Sequence, residues 1–499
     1  MEASPQKVTV LSTTSNPDPL RQRWIIVCVS FASFIAALDD YVVSVAQPTI
    51  AHEFSATTSE VAQVTLVYMV ALVCTLLVFG KLADQIGFKR VFLAGYAVFV
   101  AGSLLCCTAP NLWVLLIFRC LQGMGASMLS VSGPAILVRD IDKAQKGRAF
   151  GINTTAMALG VTLGAPLGGI ITGLSNWHWV FAVNVPIGLV ALIVAAQVLV
   201  DDSLSTGCRP RFDGAGIVAS SLGLVLLLVG FNQGEELGGW TAAPVLGCFG
   251  GAAFLFGAFC WWELRCAAPL MDLRILRDRR LLLALLATLG GYMLYAGCNF
   301  LLPFLLIYLH GLRPEQVGMV LLAFSLAFVM PSPYVGRLSD RTDTALLGVL
   351  GMGSAAAASV YLVVILGMPG LYPVLAYVVW RGLAYALFVG PNYKFVLELG
   401  GAGGEGSISG LFKVTLNLSL VLGVCIFETI FSLPLPKGMG SLSSMLATGH
   451  LTREVLLTGF RYAYAFGAMT CLVSMGFLLP ELLEGRGTGA GDGVPPRLA

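Results

Sequence analysis

Apolar residues in this chain come in unbroken runs of about twenty, rather than in the alternation of a strand or the one-sided stripe of a surface helix. Fourteen such runs are drawn at about 24–47, 60–80, 91–109, 112–137, 149–173, 179–200, 214–231, 243–263, 281–303, 316–336, 345–367, 371–396, 407–431 and 462–482. At ~1.5 Å of rise per helical residue, each run matches the ~30 Å hydrocarbon layer of a bilayer. Membrane-crossing helices are predicted throughout, and an even number of crossings returns both termini to one side.

One polar break stands out. Gly80-Lys81-Leu82-Ala83-Asp84-Gln85-Ile86-Gly87-Phe88-Lys89-Arg90 lies between the second and third runs, too short for a domain linker. Its glycines permit a tight turn, Asp84 is placed to accept from free N–H groups at a helix start, and Lys81, Lys89 and Arg90 hold the turn at one membrane face. About 250 residues later the pattern returns as Gly336-Arg337-Leu338-Ser339-Asp340-Arg341, again between two runs. The recurrence implies duplicated halves. The expected division is a tail over 1–23, a first half over 24–200, a linker with two further spans over 201–280, a second half over 281–482 and a tail over 483–499. Gly80, Asp84, Gly87, Lys89, Arg90, Gly336, Asp340 and Arg341 are the candidate conformational gate.

Composition agrees: 57% of the 499 residues are hydrophobic and only 11% charged, the balance of a protein embedded in a lipid bilayer. A net charge of +2, with no run of Lys and Arg mixed with aromatics, argues against a nucleic-acid partner. The twelve cysteines sit within apolar runs or at their ends without metal spacing and read as small core residues. The first twenty residues are polar, without a basic-then-apolar leader, and read as a cytosolic tail. Cations crowd alternate connections: Arg21 and Arg23, Lys81 to Arg90, Arg139 to Arg148, Arg209 and Arg211, Arg265 to Arg280, then Arg337 and Arg341. The opposite connections hold Arg313, Lys437, Arg453 and Arg461. The termini and both signature loops are thus expected on the cytoplasmic side of the plasma membrane. His52, His178, His310 and His450 fall near outer ends, no two at ligand spacing, and read as solvated loop residues. Trp177 and Trp179 read as part of an interfacial belt. No metal and no cofactor is expected.

Ionisable groups within spans are expensive and call for a reason. They are Asp39, Asp40, Arg119, Arg381 and Lys413, with Glu428 near a span end, where a second acid and a solvated group are both open readings. Asp39 lies about eight residues before the outer end of its run and Arg119 about seven after the start of its own, so both sit roughly 10–12 Å below the outer surface. One carboxylate is placed to pair with Arg119, and the other points about 100° away. Desolvation raises a carboxylate pKa and a guanidinium lowers it, so such a group loads and unloads a proton as its surroundings change. Either aspartate fits that role, and a permanent ion pair between helices is the alternative. Tyr292, Tyr295 and Asn299 share one helix face near mid-depth and are the first candidates for a substrate cavity. Gln63, Tyr68, Gln122, Asn153, Arg381, Asn392, Tyr393, Lys413 and Asn417 are the others. In the fifth run Gly160, Gly164 and Gly168 recur every four residues and lay a groove along one face, with Pro166 among them.

The loop G-x-L-x-D-x-x-G-x-K/R-R resembles the signature of the major facilitator superfamily; Asp343 stands where the second copy would have its last glycine. Leu38-Asp39-Asp40-Tyr41-Val42-Val43-Ser44-Val45-Ala46-Gln47-Pro48 is similar to the first-span pattern L-D-x-T-I-V-N-V-A-L-P of its fourteen-span drug:proton antiporter-2 branch, and aligns Asp39 with the acid of that branch. Arg119-Cys120-Leu121-Gln122-Gly123-Met124-Gly125-Ala126 resembles R-x-x-Q-G-x-G-A, whose arginine the family associates with proton transfer. The fifth-run glycines resemble the antiporter motif G-x-x-x-G-P-x-x-G-G, with the proline one place late. The resemblance implies an all-α membrane fold: two six-helix bundles plus two extra central spans. It implies an exporter, presumed monomeric, that exchanges protons for a small organic substrate. A lipophilic cation fits the branch, and Arg381 and Lys413 suit a zwitterion or an anion. An uptake symporter and a non-transporting receptor or scaffold are the rivals. An enzyme is not expected, since neither a nucleophile–base set nor a phosphate loop is found.

Overall fold

The computed structural model describes residues 19–142, 145–199, 214–232, 242–265, 273–339, 341–399, 405–435 and 452–487. Among them the chain is helical throughout, with no strand. In order the helices are α1 (Pro19–Glu53), α2 (Thr58–Ile86), α3 (Phe88–Cys107), α4 (Leu112–Asp140), α5 (Lys146–Leu174), the short α6 (His178–Ala182), α7 (Asn184–Val198), α8 (Gly214–Asn232) and α9 (Ala243–Glu263). They continue as α10 (Arg279–His310), α11 (Pro314–Val329), α12 (Ser332–Ser339), α13 (Thr344–Ile365), α14 (Tyr372–Glu398), α15 (Glu405–Ser432) and α16 (Arg453–Gly487). The side where α1 begins is the near face, and the side where it ends is the far face.

Thirteen segments are long and apolar enough to cross a bilayer, with α6–α7 and α11–α12 each counted as one. The seventh run, expected over 214–231, lies on α8, whose stretch Val218–Phe231 is a shorter apolar helix. The described residues thus hold thirteen full spans and one shorter apolar helix. Several helices outrun their apolar stretches. α1 continues past residue 47 to Glu53 with Pro48 inside it, and α10 runs on to His310 with Pro303 inside. Proline is tolerated there because neighbouring helices meet the freed carbonyl. α11 and α12 part at Met330-Pro331-Ser332-Pro333, where two residues lack a backbone donor.

Short-range chemistry sets the helix ends. Thr57 and Glu60 form a reciprocal capping box at the start of α2, and Asn111 accepts from Val114 N at 3.0 Å at the start of α4. Gly311, at φ 65°, ends α10 in the left-handed conformation, with Leu312 N donating to Leu306 O at 3.2 Å. Gly87 alone separates α2 from α3, at φ 99°. That geometry corrects one expectation: Asp84 belongs to the last turn of α2, and the N-cap of α3 is Gly87. The side chain of Asp84, all of Asp340, the first tail, most of the last tail and the loops carrying Arg209, Arg211, Lys437 and His450 lie outside the described residues.

Packing repeats in the two halves. α1 lies along α5 as α10 lies along α15; α4 packs on α3 and α2 as α14 packs on α13 and α11; α7 meets α3 as α16 meets α13. The contacts between halves repeat too, α5 with α11 and α2 with α15. α8 packs on α9 and touches both α2 and α15, so this hairpin lies against the outside of the seam between the halves.

Glycine decides how closely the central helices approach. A Cβ on Gly160, Gly164 or Gly168 would lie 2.5 Å from Phe34 O, 2.5 Å from Tyr41 Cβ or 2.7 Å from Val42 O, so the groove on α5 is filled by α1. Gly169 and Gly318 face one another across the halves: a Cβ on Gly169 would lie 2.4 Å from Pro314 O, and one on Gly318 would lie 2.6 Å from Ala165 O and 3.1 Å from Pro166 Cα. The fifth-run motif thus packs α5 against α1 along one face and against α11 near its far end.

Candidate functional site

The first half buries an ion pair. Arg119 Nη1 donates to Asp39 Oδ2 at 2.6 Å, and both side chains are 0% exposed. Such a pair persists away from water only when its remaining hydrogen-bond sites are met. Asp39 Oδ1 accepts from Gln122 Nε2 at 2.9 Å and from Asn184 Nδ2 at 2.7 Å. Arg119 Nε donates to Val64 O at 3.0 Å, its Nη1 also reaches Gln122 Oε1 at 2.6 Å, and its guanidinium lies 4.2 Å above the Tyr68 ring. Gln122 Nε2 donates to Ser103 Oγ at 2.8 Å. One knot therefore ties α1, α2, α3, α4 and α7 together. An acid, a base and two amides share it, and its polar groups are satisfied apart from Arg119 Nη2 and Asn184 Oδ1, which have no partner.

Asp40 turns out of that knot. It is partly exposed, and its Oδ1 is buried without a hydrogen-bond partner. It lies within electrostatic reach of Tyr68 in the first half and Tyr295 in the second. Its neighbour Tyr41 meets Tyr295 edge-on across the halves, with ring centroids 6.5 Å apart. From there an aromatic wall descends the second half through Tyr292 and Phe412 to Tyr393, the last pair 4.8 Å apart. Tyr393 and Lys413 are exposed toward the near face. Toward the far face the halves close. Gly169 and Gly318 bring α5 onto α11, and Thr58 Oγ1 donates to Glu428 Oε1 at 3.1 Å between α2 and α15. The gap between the halves is lined by tyrosines, carries one unpaired acid and is shut at its far end.

The second half repeats the arginine and changes its partner. Arg381, on α14, occupies the place that Arg119 has on α4, and is likewise 0% exposed. It stacks 4.3 Å from the Phe324 ring and donates through Nη2 to Asn299 Oδ1 on α10. Where α1 offers a carboxylate, α10 offers an amide.

A closed helical fold in two matching halves, each with a buried arginine on its fourth helix, is the framework that sequence comparison then identifies. The Major Facilitator Superfamily profile matches residues 29–424. The chain belongs to that superfamily. Among curated relatives of this facilitator, the riboflavin transporter RibZ of Clostridioides difficile is 28% identical over 83% of this chain and 89% of its own. The fatty acid resistance protein FarB of Neisseria gonorrhoeae is 28% identical over 82% and 80%. A multidrug resistance protein B homolog of Mycobacterium tuberculosis is 34% identical over 66% and 61%. Among solved structures, an auto-inhibited POT family peptide transporter superposes at a TM-score of 0.63 with 16% identity, covering 96% of this chain and 99% of its own. The xylose transporter XylE of Escherichia coli, partially occluded and inward open, superposes at 0.59 with 12% identity over 92% and 98%. These two neighbours share the fold.

Several residues expected in this facilitator's cavity lie elsewhere. Tyr68, Gln122, Arg381 and Asn392 are fully buried inside the bundles, because the helix faces that carry them point into their own half. Asn392 Nδ2 donates to Thr288 Oγ1 at 2.7 Å and joins α14 to α10. Asn153 accepts from Ser33 Oγ at 2.8 Å, part of the α1–α5 contact. Asn417 donates to Lys413 O at 2.9 Å one turn back, while Gln63, Tyr292, Tyr295 and Asn299 are partly exposed. Glu428 is buried at the far seam, so the solvated reading falls: α2 covers the outer end of α15. Trp177 is buried rather than part of a belt; it donates to Glu53 Oε2 at 2.7 Å and stacks on the half-buried His178 at 3.8 Å, which removes His178 from open solvent. Of the gate, Arg90 and Arg341 are exposed, and nothing would meet a Cβ on Gly336. Lys394 Nζ donates to Ser339 O of the second loop at 2.9 Å, and Asp343 caps α13 by accepting from Ala345 N.

Asn184, Ser103, Thr58 and Lys394 escaped the sequence reading. The first three are uncharged polar residues at or near an apolar run, a weaker signal than a charge because such a side chain can satisfy itself on its own helix; Lys394 is a cation close to the near end of its run, the ordinary place for one. Among the described residues no group of three or more His, Cys, Asp or Glu is placed to hold a metal ion.

Proposed function

We propose that this facilitator exports a small organic molecule in exchange for protons by alternating access, with Asp40 as the carboxylate that loads and releases the proton. One observation carries the reading: adjacent aspartates have opposite surroundings, Asp39 locked in an ion pair and Asp40 facing the gap without a partner for Oδ1. Asp39 is held by a guanidinium and two amides and is tied into the first half, whereas a group facing a gap changes its hydration as the gap changes sides. The units 24–200 and 281–482 rock about this point, 201–280 links them, and the near face with its clustered cations is cytoplasmic, in the plasma membrane. The fully seamed far end is then the outward gate, and the Gly169–Gly318 approach is the surface that must part. The exporter works as a monomer without cofactor and is not an enzyme. One proton moving down ~100 mV supplies about 2.3 kcal/mol for the exchange.

Export is favoured by relatives named for resistance to drugs and to fatty acids. Uptake of an organic anion or zwitterion with protons is the second reading, favoured by the positive Arg381 and Lys413 in the second half. Flux in proteoliposomes under imposed pH gradients of either sign separates them. The exchange reading expects substrate to move against the proton gradient, and expects D40N to bind substrate yet lose all response to the gradient. Gradient-driven flux that survives in D40N would refute the role given to Asp40, and substrate moving with the protons would select uptake.

A further inference from the structure

The two halves differ in how they compensate a buried guanidinium. Arginine keeps its charge at any physiological pH, so burial cannot be relieved by loss of a proton. Arg119 has Asp39. Arg381 has Asn299, whose amide oxygen is neutral, and its Nε and Nη1 are buried without hydrogen-bond partners. Its electrostatic neighbours are Tyr377, Cys298 and Tyr385, all uncharged in their ordinary forms. Among the described residues no carboxylate lies within ion-pair distance of it. The Phe324 face 4.3 Å away offsets part of the desolvation, less than a counter-ion would. Beside it the Tyr464 hydroxyl, also buried, has no partner, while Tyr377 gives its hydroxyl to Cys298 Sγ at 3.7 Å and Tyr385 gives its own to Gly291 O. Two guanidinium nitrogens and one phenol therefore lack a well-formed hydrogen bond, with only the neutral Tyr377 and Cys298 close to the guanidinium, and one unit of positive charge stays uncompensated.

We propose that Arg381 is the base of an anion-binding site enclosed by α10, α11, α14 and α16. Its donors are one edge of the Arg381 guanidinium, made by Nη2 with Nε or with Nη1, and the Tyr464 hydroxyl. The class of ligand is a small anion or a carboxylate group. A guanidinium edge completed by the second N–H of Nη2 presents two parallel donors that match a carboxylate, and the same charge suits a monatomic anion. Asn299 is the doorway: its amide holds Arg381, and it is partly exposed on the helix face that carries Tyr292 and Tyr295 into the gap. Two sources meet this chemistry, the acid group of a transported molecule and an inorganic anion resident in the second half. The first rests on the transport reading above; the second stands without it.

The test needs no gradient, so its failure is separate from failure of the coupling mechanism. Full-length protein in non-ionic detergent, with HEPES as the only buffer anion, is titrated with sodium chloride in one arm and with linear carboxylates from acetate to laurate in the other. Thermal unfolding is the readout. Saturable stabilisation in the carboxylate arm assigns the site to the acid group of a substrate; in the chloride arm alone, it assigns a resident anion. In either case R381Q removes the dependence and, without added anion, unfolds no earlier than the wild type, because an unpaired guanidinium is worse there than a neutral amide. R381K, a point charge on a shorter reach, raises the half-saturating concentration at least about tenfold. Y464F raises it about fivefold, the loss of one neutral hydrogen bond. Absence of anion dependence in the wild type, or equal dependence in R381Q, overturns the proposal. If R381Q fails to fold, unchanged half-saturation in both R381K and Y464F overturns it as well.

Discussion

Replacing Asp39 by Asn swaps a charged oxygen for an amide of nearly the same shape, so its effect isolates charge from packing. In the wild type, Asp39 accepts from Arg119 at 2.6 Å, from Gln122 at 2.9 Å and from Asn184 at 2.7 Å. An asparagine oxygen can keep the two amide donors, but its NH2 group then faces the Arg119 Nη1 donor, and the guanidinium is buried without a counter-ion. Breaking a buried pair from one side costs about 3–5 kcal/mol, and R119Q, which strands the carboxylate, falls in the same range. The double variant D39N/R119Q removes both charges and leaves a neutral network, so its loss is smaller than the sum by a coupling energy of about 3 kcal/mol. Unfolding free energies from SDS titration in mixed micelles, read by tryptophan fluorescence, close the cycle. A coupling below about 0.5 kcal/mol would mean that the two side chains act independently. The description of the first half as one ionic knot would then be wrong.

Two further outcomes are expected. Gly169→Val places side-chain atoms where a Cβ already stands 2.4 Å from the Pro314 carbonyl, so α5 and α11 cannot close; labelling of a cysteine at the buried Thr172 by a far-side, impermeant maleimide rises several-fold, and unchanged labelling would contradict the seam. Trp177→Phe keeps one aromatic ring but removes the pyrrole ring with its donor to Glu53, so the loss of the charge-assisted bond, about 1.5–3 kcal/mol, adds to that of a cavity; an unfolding midpoint equal to the wild type would show that the bond contributes nothing.

Charges were the most legible feature of the sequence. A carboxylate and a guanidinium at matched depth in two apolar runs have few alternatives to each other, and Asp39 and Arg119 do meet. The choice between adjacent aspartates was not legible, because it depends on the rotation of α1 about its axis, which is set by the α5 glycines that α1 packs upon. Rotation also explains Tyr68, Gln122 and Asn392: each looks like a polar cavity residue in an apolar run, and each turns toward its own bundle. For Glu428 the sequence leaves two readings open, and for Trp177 it suggests a belt, for another reason. Both sit where a run ends, and whether such a residue meets water depends on which helix crosses over it, here α2 and the far end of α1. Repetition of the halves was read from the loops, while its functional content, a carboxylate replaced by Asn299 beside Arg381, emerges only when the helices are paired in space.

The hairpin of α8 and α9 makes the molecule lopsided. One flank, along α2 and α15, is upholstered by α8, with Cys74 and Ser221 in contact across that join; the other, along α5 and α11, has no such cover among the described helices. A greasy compound dissolved in the surrounding lipid thus meets a padded wall on one side and a bare seam on the other. Among the described helices the α5–α11 side is the one left open to lipid, and a photoreactive lipophilic probe is expected to mark α5 and α11 in preference to α2 and α15.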